Sequence, residues 1–99
     1  NNTQRATHIK INIEEDKCLI ESNSEIGDLK EVLQIKKEGD DVKIAFNARY
    51  LIEGVKACDT QTIRMHLKSS LNPCLIYPNE SKYDDEEFTY LALPVRLAE

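Results

Sequence analysis

The most constraining feature of this chain is a strict alternation of apolar and polar residues over His8–Glu14. Its apolar members, Ile9, Ile11 and Ile13, fall on one face, as in a β-strand that buries one side and exposes the other. A tight turn follows, and residues 17–22 return as the second arm of a hairpin. The chain therefore needs an antiparallel sheet with a packed core against one face.

Turn residues and apolar periods predict five more strands and one helix along the rest of the chain. The clearest turn is at residues 38–41, where Gly39 stands among acidic residues. A strand centred on Val32, Leu33 and Ile35 precedes it. The predicted elements are strands at 28–37, 42–46, 62–67, 74–77 and 88–93 and a helix at 48–58.

The predicted helix has a clear start and two distinct faces. Asn47 suits the N-cap, because its side-chain oxygen can accept a backbone N–H of the first turn. Apolar spacing predicts one face that packs against the core. That face consists of Leu51, Ile52, Val55 and Cys58. The opposite face carries Arg49, Glu53 and Lys56.

The composition of the 99 residues is that of one globular domain, with 40% hydrophobic and 31% charged residues. No apolar run approaches the roughly 18 residues of a membrane-spanning helix, and the start of the chain lacks the apolar core of a signal peptide. Three widely spaced cysteines without a Cys-x-x-Cys pair predict buried free thiols in a reducing compartment. We therefore expect a cytoplasmic protein that does not contact a membrane.

Charge and residue spacing exclude several functions. The net charge of −5 argues against independent binding to DNA phosphates, and five acids with one lysine are concentrated in residues 79–87. His8, His66 and the cysteines lack metal-ligand spacing. Neither a Gly-rich phosphate loop nor a nucleophile paired with a base is apparent. The sequence therefore predicts no cofactor, no metal and no enzymatic activity.

The last residues are unusually apolar for the end of a chain. Terminal residues are usually poorly ordered, yet residues 90–97 read Tyr-Leu-Ala-Leu-Pro-Val-Arg-Leu. Such a tail should either be tied down or offer an apolar surface to another molecule. A second marker, residues 46–51, reads Phe-Asn-Ala-Arg-Tyr-Leu at the junction of the fourth strand and the helix.

Together the two segments resemble the C-terminal, third domain of the bacterial sliding clamp, the β subunit of DNA polymerase III. The resemblance implies an α+β DNA-clamp fold, in which two βαβββ halves place two helices side by side against a curved antiparallel sheet. Residues 41–97 would form one complete half, and residues 1–37 the other half without its first strand and helix. Residues 1–99 are thus identified as a single truncated clamp domain, βββ-βαβββ, with one retained helix.

The resemblance also implies a function in DNA replication, where the clamp is a processivity factor. In this family the two segments form part of a hydrophobic groove for short peptide motifs of the polymerase, the clamp loader and repair proteins. A glutamine and two bulky apolar anchors of the client enter the groove. The matching residues are Asn47, Tyr50, Leu71, Pro73, Leu91, Ala92, Leu93, Pro94, Val95, Arg96 and Leu97.

Most of these residues also have a purely structural interpretation. Asn47 can be only a helix cap, Tyr50 only a ring at the edge of the core, and Leu91 and Leu93 only core residues of the last strand. The tail from Pro94 onward is harder to explain in this way, because a closing apolar segment needs a docking site. The alternative function is a self-associating structural module without a peptide client.

The resemblance further implies a head-to-tail ring of two protomers. The edge strand at residues 28–35 would pair with the neighbouring protomer, and the charged residues Asp28, Lys30 and Glu31 would lie in that interface. Charges of this kind are equally common on a solvated edge strand, where they discourage unwanted pairing. Both interpretations fit the sequence.

The helix would face DNA, which only the complete ring encircles. Arg49 and Lys56 are the cations available there, and two exposed cations support at best weak contact with the phosphate backbone. The sequence also predicts a homodimer, either through the ring interface or through an uncovered sheet face. That face would contain Ile9, Ile11 and Ile13, which the absence of a first helix would leave open.

Overall fold

Seven strands and one helix form the part of the chain that the structure, a computed structural model, describes: residues 7–24, 27–79 and 90–96. The elements are β1 (His8–Glu14), β2 (Lys17–Ser24), β3 (Gly27–Gln34), β4 (Val42–Asn47), α1 (Ala48–Ala57), β5 (Ile63–His66), β6 (Cys74–Pro78) and β7 (Tyr90–Ala92). The predicted order of elements is confirmed. The third strand is shorter than predicted. The acids of the predicted loop, and the start of the predicted last strand, lie outside the described residues.

The strands form two antiparallel sheets. The first has the order β3-β2-β1-β4, and the second has the order β5-β6-β7. In the first sheet the register places Ile20, Ile11 and Ile44 side by side across β2, β1 and β4. Such rows of β-branched side chains pack well on a pleated surface, so they give this sheet one apolar face.

The C-terminal tail joins the two sheets. Pro94 forms an antiparallel bridge with Phe46 near the end of β4. The backbone N–H of Val95 donates to the carbonyl of Ala45 at 2.8 Å. Proline is acceptable at this edge because the neighbouring residue supplies the hydrogen-bond donor. The tail is therefore tied down along β4, one of the two possibilities that its apolar composition allows.

A single core cluster draws side chains from both sheets and from the helix. Its buried members are Ile11, Ile13, Cys18, Ile44, Phe46, Leu51, Cys58, Cys74, Ile76 and Ala92. Ile11 and Ile13 are only 4% and 9% exposed, so the prediction of an uncovered sheet face is wrong. Ile9 also packs against this cluster. Side chains of the second sheet and of α1 belong to the same cluster, and no second copy is needed to cover the face.

Helix α1 buries a different stripe from the predicted one. The prediction that Ile52 and Val55 lie in the core is wrong, because their side chains are 47% and 40% exposed. Gly54 is buried instead. A Cβ atom at this position would lie 2.7 Å from Tyr90 Cδ1 and 2.8 Å from Ile76 Cδ1. The second sheet therefore packs against the helix at a residue without a side chain, and the neighbouring Val55 faces away from the core.

Strand β3 is an exposed edge, as predicted, but it contributes little to the core. All eight of its residues are exposed, including Leu29, Val32 and Leu33. Among residues 7–24, 27–79 and 90–96, β3 pairs only with β2, and no further strand covers its outer side. The apolar centre predicted for this strand is therefore a surface feature. Only Ile35, just beyond the strand, packs against the core cluster.

The three cysteines are free and buried, as the sequence predicts. Burial raises the pKa of Cys74 to about 12 and also raises the pKa of Cys18. Because the thiolate is the reactive form, Cys74 should resist iodoacetamide in the native state at about pH 9, where a free thiol reacts readily. Mass spectrometry before and after unfolding in urea checks this. Rapid labelling of Cys74 in the native protein would contradict it.

Candidate functional site

The start of α1 presents two of the predicted groove residues. Asn47 caps the helix, because its Oδ1 accepts the backbone N–H of Arg49 at 2.9 Å. The cap uses only the side-chain oxygen, so the amide nitrogen of Asn47 can serve as a donor to another group. Tyr50, in the first turn, is 51% exposed. Its ring therefore lies at the surface and not in the core.

The predicted groove residues in β7 and just after it alternate between two faces of the second sheet. Leu91 and Leu93 are 42% and 65% exposed, whereas Ala92 between them is 1% exposed and belongs to the core. Leu75 of β6 lies directly opposite Leu91 and is half-buried. Leu75 was not predicted from the sequence, because only the pairing of β6 with β7 brings it onto this face. Ala92 can offer a groove only its backbone.

The tail connects β7 to the end of β4, which leads into the helix. Pro94 is bridged to Phe46, the residue that precedes Asn47, and it directly follows Leu93. Pro94 is half-buried and Arg96 is exposed. The bridge between Pro94 and Phe46 therefore links the backbone that follows β7 to the backbone that leads into the first helical turn. Leu97 lies outside the described residues.

Leu71 lies in a tight turn between β5 and β6. The backbone N–H of Leu71 donates to Ser69 Oγ at 3.1 Å, and the side chain of Leu71 is 62% exposed. Pro73 is also exposed and directly precedes β6. Pro73 and Leu93 flank the last residue pair of the β6–β7 ladder, which places them at the same end of the second sheet.

The large apolar side chains on the surface fall into three groups. Four of the nine that the described residues expose are predicted groove residues: Tyr50, Leu71, Leu91 and Leu93. The other five lie on β3 and on α1. Burying such a side chain is worth about 1.5–3 kcal/mol. A group of them on one surface is typical of a site that receives another molecule.

Tyr90 joins β7 to the helix behind this surface. Its hydroxyl donates to Glu53 Oε1 at 3.4 Å. Burial, reinforced by the charge of Glu53, raises the pKa of Tyr90, so the hydroxyl stays protonated as a donor. Glu53 Oε2 also lies 3.9 Å from Arg49 Nε. One of the two predicted DNA-facing cations therefore has an acid beside it, while Lys56 is exposed.

The predicted ring-interface residues lie together on the edge strand. Asp28, Lys30 and Glu31 are all exposed on β3, and Lys30 Nζ lies 3.8 Å from Glu21 Oε2 on the neighbouring strand. An ion pair at this separation and exposure contributes little to stability. Within the described part of the chain, no strand pairs with the outer side of β3, and its charged side chains are exposed.

A concavity lies beside the C-terminal end of α1. Its volume is about 660 Å³, and its lining is Cys58, Asp59, Thr60, Gln61, Thr62 and Asn79. Over the described ranges, no three His, Cys, Asp or Glu side chains come together as metal ligands. The same part of the chain has no helix long and apolar enough to cross a bilayer.

The two sheets, the capped helix and the docked tail define a clamp-type domain. A family model described as DNA polymerase III beta subunit, C-terminal domain, matches residues 1–96. The beta sliding clamp of Streptomyces coelicolor is 31% identical over 98 residues, which cover 96% of this chain and 26% of that protein. The DNA polymerase III beta subunit of Thermotoga maritima has a TM-score of 0.78 and 33% identity, covering 92% of this chain and 24% of that one.

The chain therefore belongs to the family of the DNA polymerase III beta subunit, C-terminal domain, and its predicted α+β clamp fold is confirmed. A Pseudomonas aeruginosa sliding clamp bound to griselimycin shares the fold, with a TM-score of 0.76 and 23% identity over 91% of this chain and 24% of that one. The chain spans 26% and 18% of the length of the first two curated sliding clamps that it matches.

Proposed function

We propose that this chain carries one half of a hydrophobic groove through which a bacterial sliding clamp holds peptide motifs of its clients. The observation that carries the proposal is the bridge between Pro94 and Phe46. The bridge links the segment that carries the exposed side chains of Leu91 and Leu93 to the residue that precedes the N-cap of the helix, and Tyr50 in the first helical turn is also exposed. Membership of the DNA polymerase III beta subunit family supports the same interpretation, as does a related clamp bound to griselimycin.

Each groove residue would make one kind of contact. Tyr50 offers an aromatic edge, and Asn47 and Arg96 can hold the glutamine and the backbone of the client. Ala92 would contribute its backbone, and Leu97 remains a predicted member. The apolar floor would consist of Leu71, Pro73, Leu75, Leu91, Leu93, Pro94 and Val95. Most of the binding energy would come from apolar anchors of the client, with a few polar groups to fix its register.

A peptide of the type Gln-Leu-x-Leu-Phe should bind this chain with a dissociation constant on the order of 1 mM, which corresponds to about −4 kcal/mol. The affinity is low because one domain supplies only part of the groove. Titration into isotope-labelled protein, followed by NMR, should shift the signals of Asn47, Tyr50, Leu71 and residues 91–96. Shifts confined to other parts of the chain would contradict the proposal.

Two matched variants sharpen this test. Leu93→Glu should abolish the titration shifts, because it places a charge on the apolar floor. Leu29→Glu changes another exposed leucine, on β3, and should leave the affinity for the peptide unchanged. Equal losses in both variants would show that charge alone, and not the groove, determines binding.

Within a complete clamp, we assign the β3 edge with Asp28, Lys30 and Glu31 to the contact between protomers. We assign Arg49 and Lys56 to the surface that faces encircled DNA. The clamp would act in the cytoplasm as a processivity factor by holding the polymerase, the clamp loader and repair proteins, and this domain would catalyse no reaction. On its own the chain should not bind DNA detectably, since two exposed cations release few counterions.

A second candidate function is self-association without a peptide client. The observation that favours it is the exposure of Leu29, Val32 and Leu33 on an edge strand, because an edge with unpaired backbone groups can template another strand. Sedimentation of the chain with and without peptide separates the two functions. Dimerisation through β3 without any peptide binding would support the structural module alone.

A further inference from the structure

One hydroxyl group organises the turn that carries Leu71. Ser69 Oγ accepts the backbone N–H of Leu71 at 3.1 Å and donates to Asn72 Oδ1 at 2.6 Å. The carbonyl oxygen of Ser69 also accepts the backbone N–H of Asn72 at 3.4 Å, which closes a turn over residues 69–72. Serine hydroxyls stabilise turns through such local bonds to the backbone. A single residue therefore holds both residues that follow Ser70.

The far end of this turn is held by the strand that follows it. Pro73 disfavours a helical backbone at the preceding Asn72. The next residue, Cys74, is 0% exposed and lies opposite Ala92 of β7. The turn is thus attached to the core on its C-terminal side, and the bonds of Ser69 hold it on its N-terminal side.

The side chain of Leu71 has little packing that could fix its position. It is 62% exposed, so contacts with the core cannot determine where it lies. Ser69, by contrast, is half-buried. The hydrogen bonds of Ser69 therefore order the backbone that carries Leu71. A side chain on an ordered backbone loses less conformational entropy when a ligand binds it.

We propose that Ser69 is a positioning residue of the peptide groove. It holds Leu71 in the apolar floor, so that an apolar anchor of the client meets a side chain whose backbone is already ordered. Ser69 acts through Leu71 and does not itself contact the client. This inference rests on the proposed function, in which Leu71 belongs to the groove. Its neighbour Ser70 has the same side chain, and the hydrogen bonds of the turn single out Ser69 for this role.

Binding of the Gln-Leu-x-Leu-Phe peptide to three variants of the complete chain tests this role. Ser69→Ala removes both bonds of the hydroxyl and should weaken binding about two- to tenfold, the cost of ordering one more side chain on binding. Ser69→Thr keeps a hydroxyl and should retain the affinity. Ser70→Ala is the matched control, because it removes an exposed hydroxyl from the same turn and should leave the affinity unchanged.

Two further measurements separate positioning from a general loss of stability. In the free protein, hydrogen exchange of the Leu71 amide should accelerate in Ser69→Ala, because the variant lacks the acceptor of that N–H. The amides of Cys74 and Ala92 in the core should exchange as before. In a Leu71→Ala background, Ser69→Ala should cause no further loss of affinity, since its effect passes through the Leu71 side chain.

The outcomes distinguish the positioning role from the groove itself. If Ser69→Ala binds the peptide as tightly as the unaltered chain, Ser69 does not position Leu71 and the groove stands. The same conclusion follows if Ser69→Ala weakens binding equally in the Leu71→Ala background. An equal loss of affinity in Ser69→Thr would overturn the role of the hydroxyl. If the unaltered chain does not bind the peptide at all, the proposed function fails and the positioning role fails with it.

Discussion

Replacing Phe46 by alanine should lower the free energy of unfolding by about 3–5 kcal/mol, the cost of removing a buried aromatic ring and leaving a cavity. Phe46 is 0% exposed and belongs to the core cluster. It lies at the point where β4 pairs with β1 and meets Pro94 of the tail. Few neighbours can collapse into the space of the ring, because both sides are held by backbone pairing. For a domain with a total stability of about 5–15 kcal/mol, the loss is a large fraction.

Urea denaturation of the two proteins measures this difference. The midpoint should fall and the slope of the transition should stay the same, since the surface exposed on unfolding is nearly unchanged. Leu91→Ala is the matched control, because it truncates an exposed apolar side chain and should cost no more than about 0.5 kcal/mol. A loss below about 1 kcal/mol for Phe46→Ala would mean that the core relaxes around this position.

Phe46→Ala should also weaken peptide binding, although the ring itself is not accessible to a client. The bridge from Phe46 to Pro94 holds the tail against β4, and the groove depends on that docking. The amide signals of Val95 and Arg96 should therefore broaden or shift in the variant before any peptide is added. Stability and binding are linked here through one residue pair.

The sequence predicted the elements well because their signals are local. Alternation over His8–Glu14 marks a half-buried strand, and Asn47 marks a helix start that its side chain does cap. The groove residues are different. Tyr50 and Leu93 have no local feature that distinguishes surface from core, so they were predicted only through the resemblance to a family. Their exposure follows from how the sheets and the tail pack.

The features that were missed depend on contacts distant in sequence. Leu75 joins the apolar outer face only because β6 pairs with β7. Ile52 and Val55 have the spacing of core residues, yet they are exposed because the second sheet approaches the helix at Gly54. Helical periodicity defines the buried face of a helix to within about one residue. Which residue lies at the centre of that face depends on the sheet that packs against it.

Replacing Gly54 by alanine should destabilise the protein by about 1–2 kcal/mol, although alanine has the higher helix propensity. Alanine in a helix interior is better than glycine by about 1 kcal/mol. At this position, however, the new methyl group would meet Tyr90 Cδ1 at 2.7 Å and Ile76 Cδ1 at 2.8 Å. Overpacking of a core typically costs about 1–3 kcal/mol, and tyrosine packed between sheet and helix has little room to move.

A double-mutant cycle with Ile76→Val tests the cause of this loss. Valine lacks the Cδ1 atom that the new methyl group would meet, and Ile76→Val alone should cost about 0.5–1.5 kcal/mol. If the clash is responsible, the double variant should be more stable than the sum of the single losses by roughly 0.5–1 kcal/mol. Val55→Ala is the control, because it improves helix propensity on the exposed side without a clash. Stabilisation by Gly54→Ala would show that the helix can move away from β7 and would contradict the clash.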